Sequence, residues 1–315
     1  MKIVVLDKNS LGQDTPLSGL TAFGEVKIYD GTSETEIDDR IVDADVIVLN
    51  KVKITERVLS AAKNLKLICI FATGYDNVDI TAARRYGVAV CNVPGYSTDS
   101  VALFTLANVL SLYTHLREYN DYVVSGAYST SGVPNRLTPV YHEIRGKTWG
   151  IIGLGNIGRA VAEVAKALGA RVLANKRTSV DDYECVDIDT ICKESDIITI
   201  HCPLNDQTRN IIDEEKIALM KKDVIIVNEA RGAVVNEFDI AEAIKKGTIG
   251  AFGSDVYSIE PFATNHPFFE IKDYNNVLLT PHAAWGAYES RKRCIDMICE
   301  NIASYIAGER RNRVD

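Results

Sequence analysis

The sequence predicts an α/β protein of two domains, each built on a doubly wound parallel sheet. Three observations lead there. The chain has 315 residues, more than one domain usually holds. Short apolar runs alternate with helical patterns through most of its length. A glycine-spaced strand, turn and helix stands at its middle. Thr148 to Ile152 is a strand-type run, followed by Gly153, Gly155 and Gly158 in the spacing G-x-G-x-x-G. Ile157, Val161, Val164, Ala165 and Leu168 then recur at helical intervals, and Gly169 supplies a stop. The first glycine permits a tight turn, the second lets backbone approach a pyrophosphate, and the third lets helix and strand pack closely. The helix N-terminus is left aimed at negative charge. Framed in this way, the spacing predicts dinucleotide binding rather than a purely structural turn.

The other elements follow in order. Ile3 to Leu6, Val26 to Tyr29, Val46 to Leu49, Leu67 to Phe71 and Val88 to Val90 are apolar runs of strand length. Helical patterns between them, such as Thr55 to Lys63 and Ile80 to Tyr86, complete a first α/β domain without a glycine fingerprint. After the turn-rich Val93 to Ser97, a long helix is expected from Ser97 or Thr98 through Leu116, and a polar surface arm over Gly126 to Thr138. Beyond the glycines come Arg171 to Ala174, Asp196 to His201, Asp223 to Val227, Gly250 to Val256 and Asn276 to Thr280. With Thr148 to Ile152 these make six strands, the count of a full dinucleotide domain. Ala287 to Gly308 is helical and is expected to pack back on the first domain. The expected boundaries are residues 1–97 plus 288–315 for a discontinuous substrate domain, and 98–287 for the cofactor domain.

Composition narrows the function. A hydrophobic content of 46% is ample for packed cores, and the net charge of −8 argues against a nucleic-acid-binding surface. Arg310 to Arg313 (RRNR) is the one basic cluster and is expected to be a solvated tail. No apolar run reaches the roughly 18 residues of a membrane span, and MKIVVLDKNS reads as a first strand rather than a signal peptide. The seven cysteines are odd in number, scattered, and include no C-x-x-C pair. That suits reduced thiols in a cytoplasmic protein, with neither zinc nor a disulfide framework.

Three ionisable residues follow three strand-like runs of the second domain: Arg231 in NEARG, Glu260 in DVYSIEP and His282 in TPHAAW. The carboxyl edge is where open α/β sheets bind ligands. Hydride transfer to a 2-oxo acid needs a two-donor cation for the carboxylate and carbonyl, which a guanidinium provides. It needs an acid for the carbonyl oxygen that serves as base in reverse, a role suited to imidazole. A carboxylate must orient that imidazole. Arg231, His282 and Glu260 fit these roles together, whereas singly each also reads as a surface or core residue. His115 in a helical pattern, His142 and His266 in polar loops, and His201 closing a strand have no matched partner in sequence and are taken as structural.

On GKTWGIIGLGNIG, NEARG, DVYSIEP and TPHAAW the chain resembles the D-isomer-specific 2-hydroxyacid dehydrogenases over essentially its whole length. The resemblance implies a Rossmann cofactor domain and a smaller flavodoxin-like substrate domain. It implies that Arg231 binds substrate, His282 is the acid/base and Glu260 supports it. Backbone N–H groups at Thr73 and Gly74 in FATGYDNVD would hold the substrate carboxylate, and a homodimer would form through roughly Ser97 to Leu137. Asn50-Lys51-Val52, ATGYDNVD, NVPGYSTDSVA and HAAW are most similar to the hydroxypyruvate and glyoxylate reductases, also called glycerate dehydrogenases. Leu103-Phe104 and Glu229 depart from that branch's usual residues. Lys51 reads either as added positive charge for substrate or as a plain surface lysine, and Tyr75 and Trp285 either as pocket walls or as packed aromatics. The alternatives are a D-lactate- or 2-hydroxyisocaproate-type dehydrogenase, and a non-catalytic NAD(P)H-sensing regulator.

The expected cofactor set is Gly153, Gly155, Asn156, Ile157, Gly158, Lys176, Arg177, Cys202, Pro203, Thr208, Glu229, Asp255 and His282, with no metal. In the NAD-binding version of the fold an acid about 20 residues beyond the glycines holds the ribose hydroxyls. Here Lys176 occupies that place, Arg177 follows, and Asp181 and Asp182 lie farther into the loop. With the hydroxyls of Thr178 and Ser179, these cations suit a 2′-phosphate, so NADP(H) is favoured over NAD(H).

Overall fold

The β-branched and apolar runs become the strands of two parallel sheets. The structure is a computed structural model that describes residues 1–178 and 180–315, so the Ser179 hydroxyl lies outside the described residues. It divides into Met1–Ser97 with Trp285–Asp315, and Thr98–Ala284.

In the first unit β1 (Lys2–Val5), β2 (Glu25–Ile28), β3 (Val46–Leu49), β4 (Leu67–Ile70) and β5 (Ala89–Cys91) form a parallel sheet of order β2-β1-β3-β4-β5. That is the flavodoxin-like order. Every residue of β3 and β4 is buried, as a sheet covered on both faces requires. One face packs on α1 (Ile37–Ile41), α2 (Glu56–Ala61) and α3 (Ile80–Arg85) through Ile37, Ile41, Val58, Leu59, Ala82 and Ala83. The other receives the C-terminal helix, Tyr288–Ile306, through Cys294, Ile295, Ile298 and Ile302.

The basic tail is not simply solvated. Val314 N–H donates to Val90 O at 2.9 Å, and Asp315 accepts Val90 N–H at 2.8 Å while pairing with Arg313. Burial alone would push the Asp315 carboxyl up, but the Arg313 guanidinium and the Val90 N–H hold it at about 2. Only Arg310 and Arg311 of the run stay exposed.

The second unit opens with α4 (Thr98–Tyr113), α5 (Leu116–Val124) and α6 (Ala127–Thr130). The single helix expected through Leu116 is broken: His115 takes φ +52°, so this histidine sits at a junction rather than inside a helix. Part of the expected arm, Ala127–Thr130, is helical. The sheet then has β6 (Thr148–Ile152), β7 (Arg171–Asn175), β8 (Glu184–Cys185), β9 (Ile197–Ile200), β10 (Ile225–Asn228), β11 (Ala251–Ser254) and β12 (Val277–Leu279). All pairings are parallel, in the order β12-β11-β10-β9-β6-β7-β8. Counted from β6 this is the dinucleotide-binding order 3-2-1-4-5-6 with one strand added at its end. The strand beyond the six expected from sequence is β8, which at two residues is too short to carry a readable period. One face packs on α4 and on α7 (Asn156–Ala167) through Val109, Leu112, Val161, Ala162 and Ala165. The other carries α8 (Ile188–Glu194), α9 (Glu214–Ile217), α10 (Glu237–Lys246) and α11 (Pro267–Ile271). The C-terminal helix is α12. Among the described residues no helix is long and apolar enough to cross a membrane.

Candidate active site

The glycine turn joins β6 to α7 at the switch point, where β6 is flanked by β7 and β9. Gly153 has φ +99°, and a Cβ there would meet Cys202 N at 2.5 Å. A Cβ on Gly158 would meet Gly153 O at 2.2 Å, so α7 can lie this close to the turn only without a side chain. Gly155, the N-cap of α7, differs from both: nothing lies within 4 Å of its Cβ direction. The turn thus leaves open space beside the N–H groups of Asn156 and Ile157, and the residues present fit a dinucleotide pyrophosphate.

At the end of β7, Asn175 Nδ2 donates to Val186 O at 3.0 Å, while Lys176, Arg177 and Thr178 are exposed. Neither Lys176 nor Arg177 makes an ion pair among the described residues. Asp181 and Asp182 are exposed and lead towards β8. In the loop after β9, Cys202 is buried, which pushes its thiol up to about 11, and Thr208 Oγ1 donates to Pro203 O at 2.6 Å. His201 is neutral, its imidazole lowered to about 3 by burial.

The ends of β10, β11 and β12 are adjacent in the sheet. Arg231 is extended (φ −147°) three residues past β10, with Nη1 donating to Ala230 O at 2.8 Å. A Cβ on the next residue, Gly232, would meet Tyr257 C at 1.9 Å, so the backbone after β11 approaches here only because that position is glycine. Beyond Tyr257 comes Glu260, whose Oε2 lies 2.6 Å from His282 Nδ1. Tyr257 N–H donates to the other oxygen, Oε1, at 3.1 Å. His282 takes φ +52°, a left-handed backbone uncommon outside glycine and found where neighbours impose it.

Those neighbours centre on Asp255. Its Oδ1 accepts Thr280 Oγ1 at 2.7 Å and Ala283 N–H at 2.8 Å, and its Oδ2 accepts Ala284 N–H at 2.8 Å. The carboxylate therefore grips the chain on both sides of His282. Sequence reading placed Asp255 among cofactor residues and had no signal for this grip, whose partners lie more than twenty positions away.

Glu229 is buried behind the same edge. Asn108 on α4 donates to its Oε1 at 2.6 Å, and its Oε2 has no hydrogen-bond partner among the described residues. Burial first, and then the nearby Asp255 charge, push its carboxyl well above the usual range. Between the unfolded and folded values the native state keeps a proton that the unfolded chain has lost, so stability falls as pH rises through that window. Glu229→Gln should therefore raise the melting temperature at pH 8 by at least about 3 °C. The gain should shrink towards pH 4, and equal shifts at both pH values in thermal scans would contradict the assignment.

In the first unit, the loops after β1, β3 and β4 are tied together. Asp7 accepts the N–H groups of Asn50 at 2.9 Å, Lys51 at 2.6 Å and Val52 at 3.3 Å, and Asn77 Nδ2 donates to Val52 O at 2.9 Å. Sequence reading missed Asp7, although an acid directly after a first strand was visible. Thr73 Oγ1 donates to Val93 O at 2.9 Å, and Asn92 Nδ2 donates to Thr73 O at 2.7 Å, which fixes the loop containing Gly74. Tyr75 is exposed, whereas Trp285 packs edge-on against Tyr96 on the core of this unit.

His266, expected in a polar loop without a partner, is buried and lies 3.0 Å from Glu237 Oε2. Among the described residues no group of His, Cys, Asp and Glu could hold a metal ion.

Comparison with known proteins identifies the family. The family profile for the D-isomer specific 2-hydroxyacid dehydrogenase NAD binding domain matches residues 106–284. A hydroxypyruvate reductase of Blautia hydrogenotrophica is 37% identical over 326 residues, covering 100% of both chains. A glycerate dehydrogenase of Methylorubrum extorquens is 34% identical, covering 100% of this chain and 99% of its own. Among solved structures, an acyclic imino acid reductase in complex with NADPH and D-Arg superposes with a TM-score of 0.87 at 29% identity, covering 100% of both. A profile match over more than half of the chain, and relatives alike along all of it, show that the chain belongs to the D-isomer specific 2-hydroxyacid dehydrogenase family, in its hydroxypyruvate and glyoxylate reductase branch.

Proposed function

We propose that this dehydrogenase reduces small 2-oxo acids, hydroxypyruvate and glyoxylate ahead of others, to D-2-hydroxy acids, with NADPH preferred over NADH. The observation that carries the reading is the His282–Glu260 pair at 2.6 Å, with Arg231 following the adjacent β10 on the carboxyl edge of the same sheet. Arg231 holds the carboxylate and carbonyl of the substrate through its planar fork. Glu260 engages Nδ1 and orients the ring, so Nε2 is the atom that gives a proton to the carbonyl oxygen and takes it back in oxidation. The bound nicotinamide supplies or accepts the hydride. Residues 1–97 with the C-terminal helix act as the substrate domain, where the N–H groups of Thr73 and Gly74 receive the substrate carboxylate and Lys51 adds positive charge. Names of relatives support the substrate choice: a hydroxypyruvate reductase, a glycerate dehydrogenase and several glyoxylate reductases. A panel of 2-oxo acids tests it. Hydroxypyruvate and glyoxylate should exceed pyruvate, phenylpyruvate and 2-oxoisocaproate in kcat/KM, and a faster bulky substrate would reject it.

The cofactor preference rests on the end of β7. A carboxylate there would repel a 2′-phosphate, whereas Lys176 and Arg177 are exposed and positively charged, with the Thr178 hydroxyl beside them. A charged hydrogen bond contributes about 1.5–3 kcal/mol, or roughly 10- to 150-fold in affinity. NADPH should therefore exceed NADH by at least about 10-fold in kcat/KM. Lys176→Asp with Arg177→Ala should abolish that ratio, and equal use of both cofactors by the unmodified protein would overturn the preference.

Surface chemistry supports a homodimer through roughly Ser97 to Leu137. α5 has no buried residue, and Leu116, Val124, Leu137, Val140 and Tyr141 are all exposed. An apolar surface of this extent is what a second copy of the chain would cover. The scattered, odd-numbered cysteines support a reducing compartment, the cytoplasm.

A further inference from the structure

The loop that carries Glu260 runs from β11 to α11, and both its ends are fastened to one carboxylate on α10. Glu237 Oε1 accepts Ser258 N–H at 2.9 Å, and Oε2 accepts the Ser258 hydroxyl. At the far end His266 Nε2 lies 3.0 Å from the same Oε2. His266 Nδ1 accepts Phe268 N–H at 3.2 Å, which places the ring proton on Nε2 and makes that atom the donor to Glu237. The side chains of His266 and Glu237 are only 8% and 10% exposed, so water competes little for these bonds. The His266 ring stacks on Phe262 at 4.8 Å, and Tyr257 meets Phe262 edge-on at 4.6 Å. Tyr257 OH donates to Thr280 O at 2.8 Å, two residues before His282.

Histidine beside carboxylate has the form of a second acid–base pair, but the ring chemistry decides otherwise. Both nitrogens of His266 are committed, one to the helix N-cap and one to Glu237, so neither is available to a substrate. The pair faces the loop, and the loop carries Glu260. Ser258, gripped through both N–H and hydroxyl, directly follows Tyr257, whose N–H fixes Glu260 Oε1.

We propose that Glu237, Ser258 and His266 are positioning residues that clamp the 257–266 loop and hold Glu260 against His282. This rests on the reading of His282 as the acid/base. Small displacements in such a site are costly, since a misplacement of about 1 Å can lower turnover about 100-fold. Sequence alone does not show the clamp, because its members stand 21 and 29 positions apart in separate elements.

The test compares Glu237→Gln and Ser258→Ala with Ser258→Thr, and combines Glu237→Gln with Glu260→Gln. Gln at 237 keeps the shape but faces His266 Nε2–H with a second donor. Glu237→Gln should lower kcat about 10- to 100-fold, with KM for hydroxypyruvate and the NADPH dissociation constant changed less than about 3-fold. Ser258→Ala should fall between, and Ser258→Thr, which keeps the hydroxyl, should stay within about 2-fold of the unmodified enzyme. In the Glu260→Gln background the Glu237 change should cost less than about 3-fold, because the clamp acts through Glu260. The low-field NMR proton of His282 Nδ1–H reads the same contact without turnover and should shift or vanish in Glu237→Gln and remain in Ser258→Thr. Full multiplication of the two defects, or an unmoved resonance with unchanged kcat, would overturn the clamp. Should Glu237→Gln fail to fold, the exposed Ser258 pair decides by the same readouts. If the unmodified protein reduces no 2-oxo acid, the proposed function fails, and the resonance still judges the clamp.

Discussion

Replacing His282 by alanine should lower kcat for hydroxypyruvate reduction by at least about 100-fold, within the range a general acid contributes. Nucleotide binding should be nearly unchanged, because β9, β10 and β11 separate the glycine turn after β6 from β12. The loss should appear equally in kcat and kcat/KM, since proton transfer belongs to the transition state. The unmodified enzyme should also show opposite pH limbs in its two directions. Reduction needs the protonated imidazole and fails as pH rises, whereas oxidation needs the neutral ring and fails as pH falls. A His282→Ala variant that kept more than half of its turnover would exclude the acid/base role.

Arg231→Lys should be nearly as damaging, although the charge is retained. An ammonium cannot make two parallel bonds to a carboxylate and a carbonyl. Losing one charged hydrogen bond costs about 1.5–3 kcal/mol, so kcat/KM should fall roughly 10- to 150-fold. KM for the 2-oxo acid should rise and kcat should fall, because ground and transition states share the contact. Glyoxylate, with no side chain to compensate, should be affected at least as much as hydroxypyruvate. Steady-state kinetics giving an unchanged KM for both substrates would remove Arg231 from the substrate site.

Much of this architecture is legible in the residues, for identifiable reasons. The strand from Thr148 to Ile152 is observed as expected, and α7 begins two residues before the end of the glycine spacing. There each glycine answers a separate steric demand, so the pattern leaves little freedom. Strands buried on both faces, such as β3 and β4, announce themselves as unbroken apolar runs. Illegible features are those made by distant partners or by backbone alone. The break at His115 has no glycine or proline to mark it, and β8 is too short for a period. The tail joins β5 because Asp315 and Val314 find the edge of Val90, some 225 positions away.

The site divides in the same way. Arg231, Glu260 and His282 stand out because chemistry-bearing residues follow three strand-like runs, and the geometry brings Glu260 and His282 into contact. What holds them was hidden. The Asp255 grip on residues 280–284, the glycine at 232 that admits Tyr257, and the Glu237–His266 pair depend on proximity that no local pattern encodes. Glu229 is visible as an unusual residue before Ala230-Arg231, but the burial that raises its carboxyl follows only from its place behind Asn108 and beside Asp255.

Following hydrogen from cofactor to product tests the central claim most directly. With hydroxypyruvate and a reduced nicotinamide cofactor deuterated at its transferable C4 position, the glycerate formed should carry deuterium at C2 and be the D-enantiomer. Unlabelled glycerate, or the L-enantiomer, would contradict hydride transfer at this site.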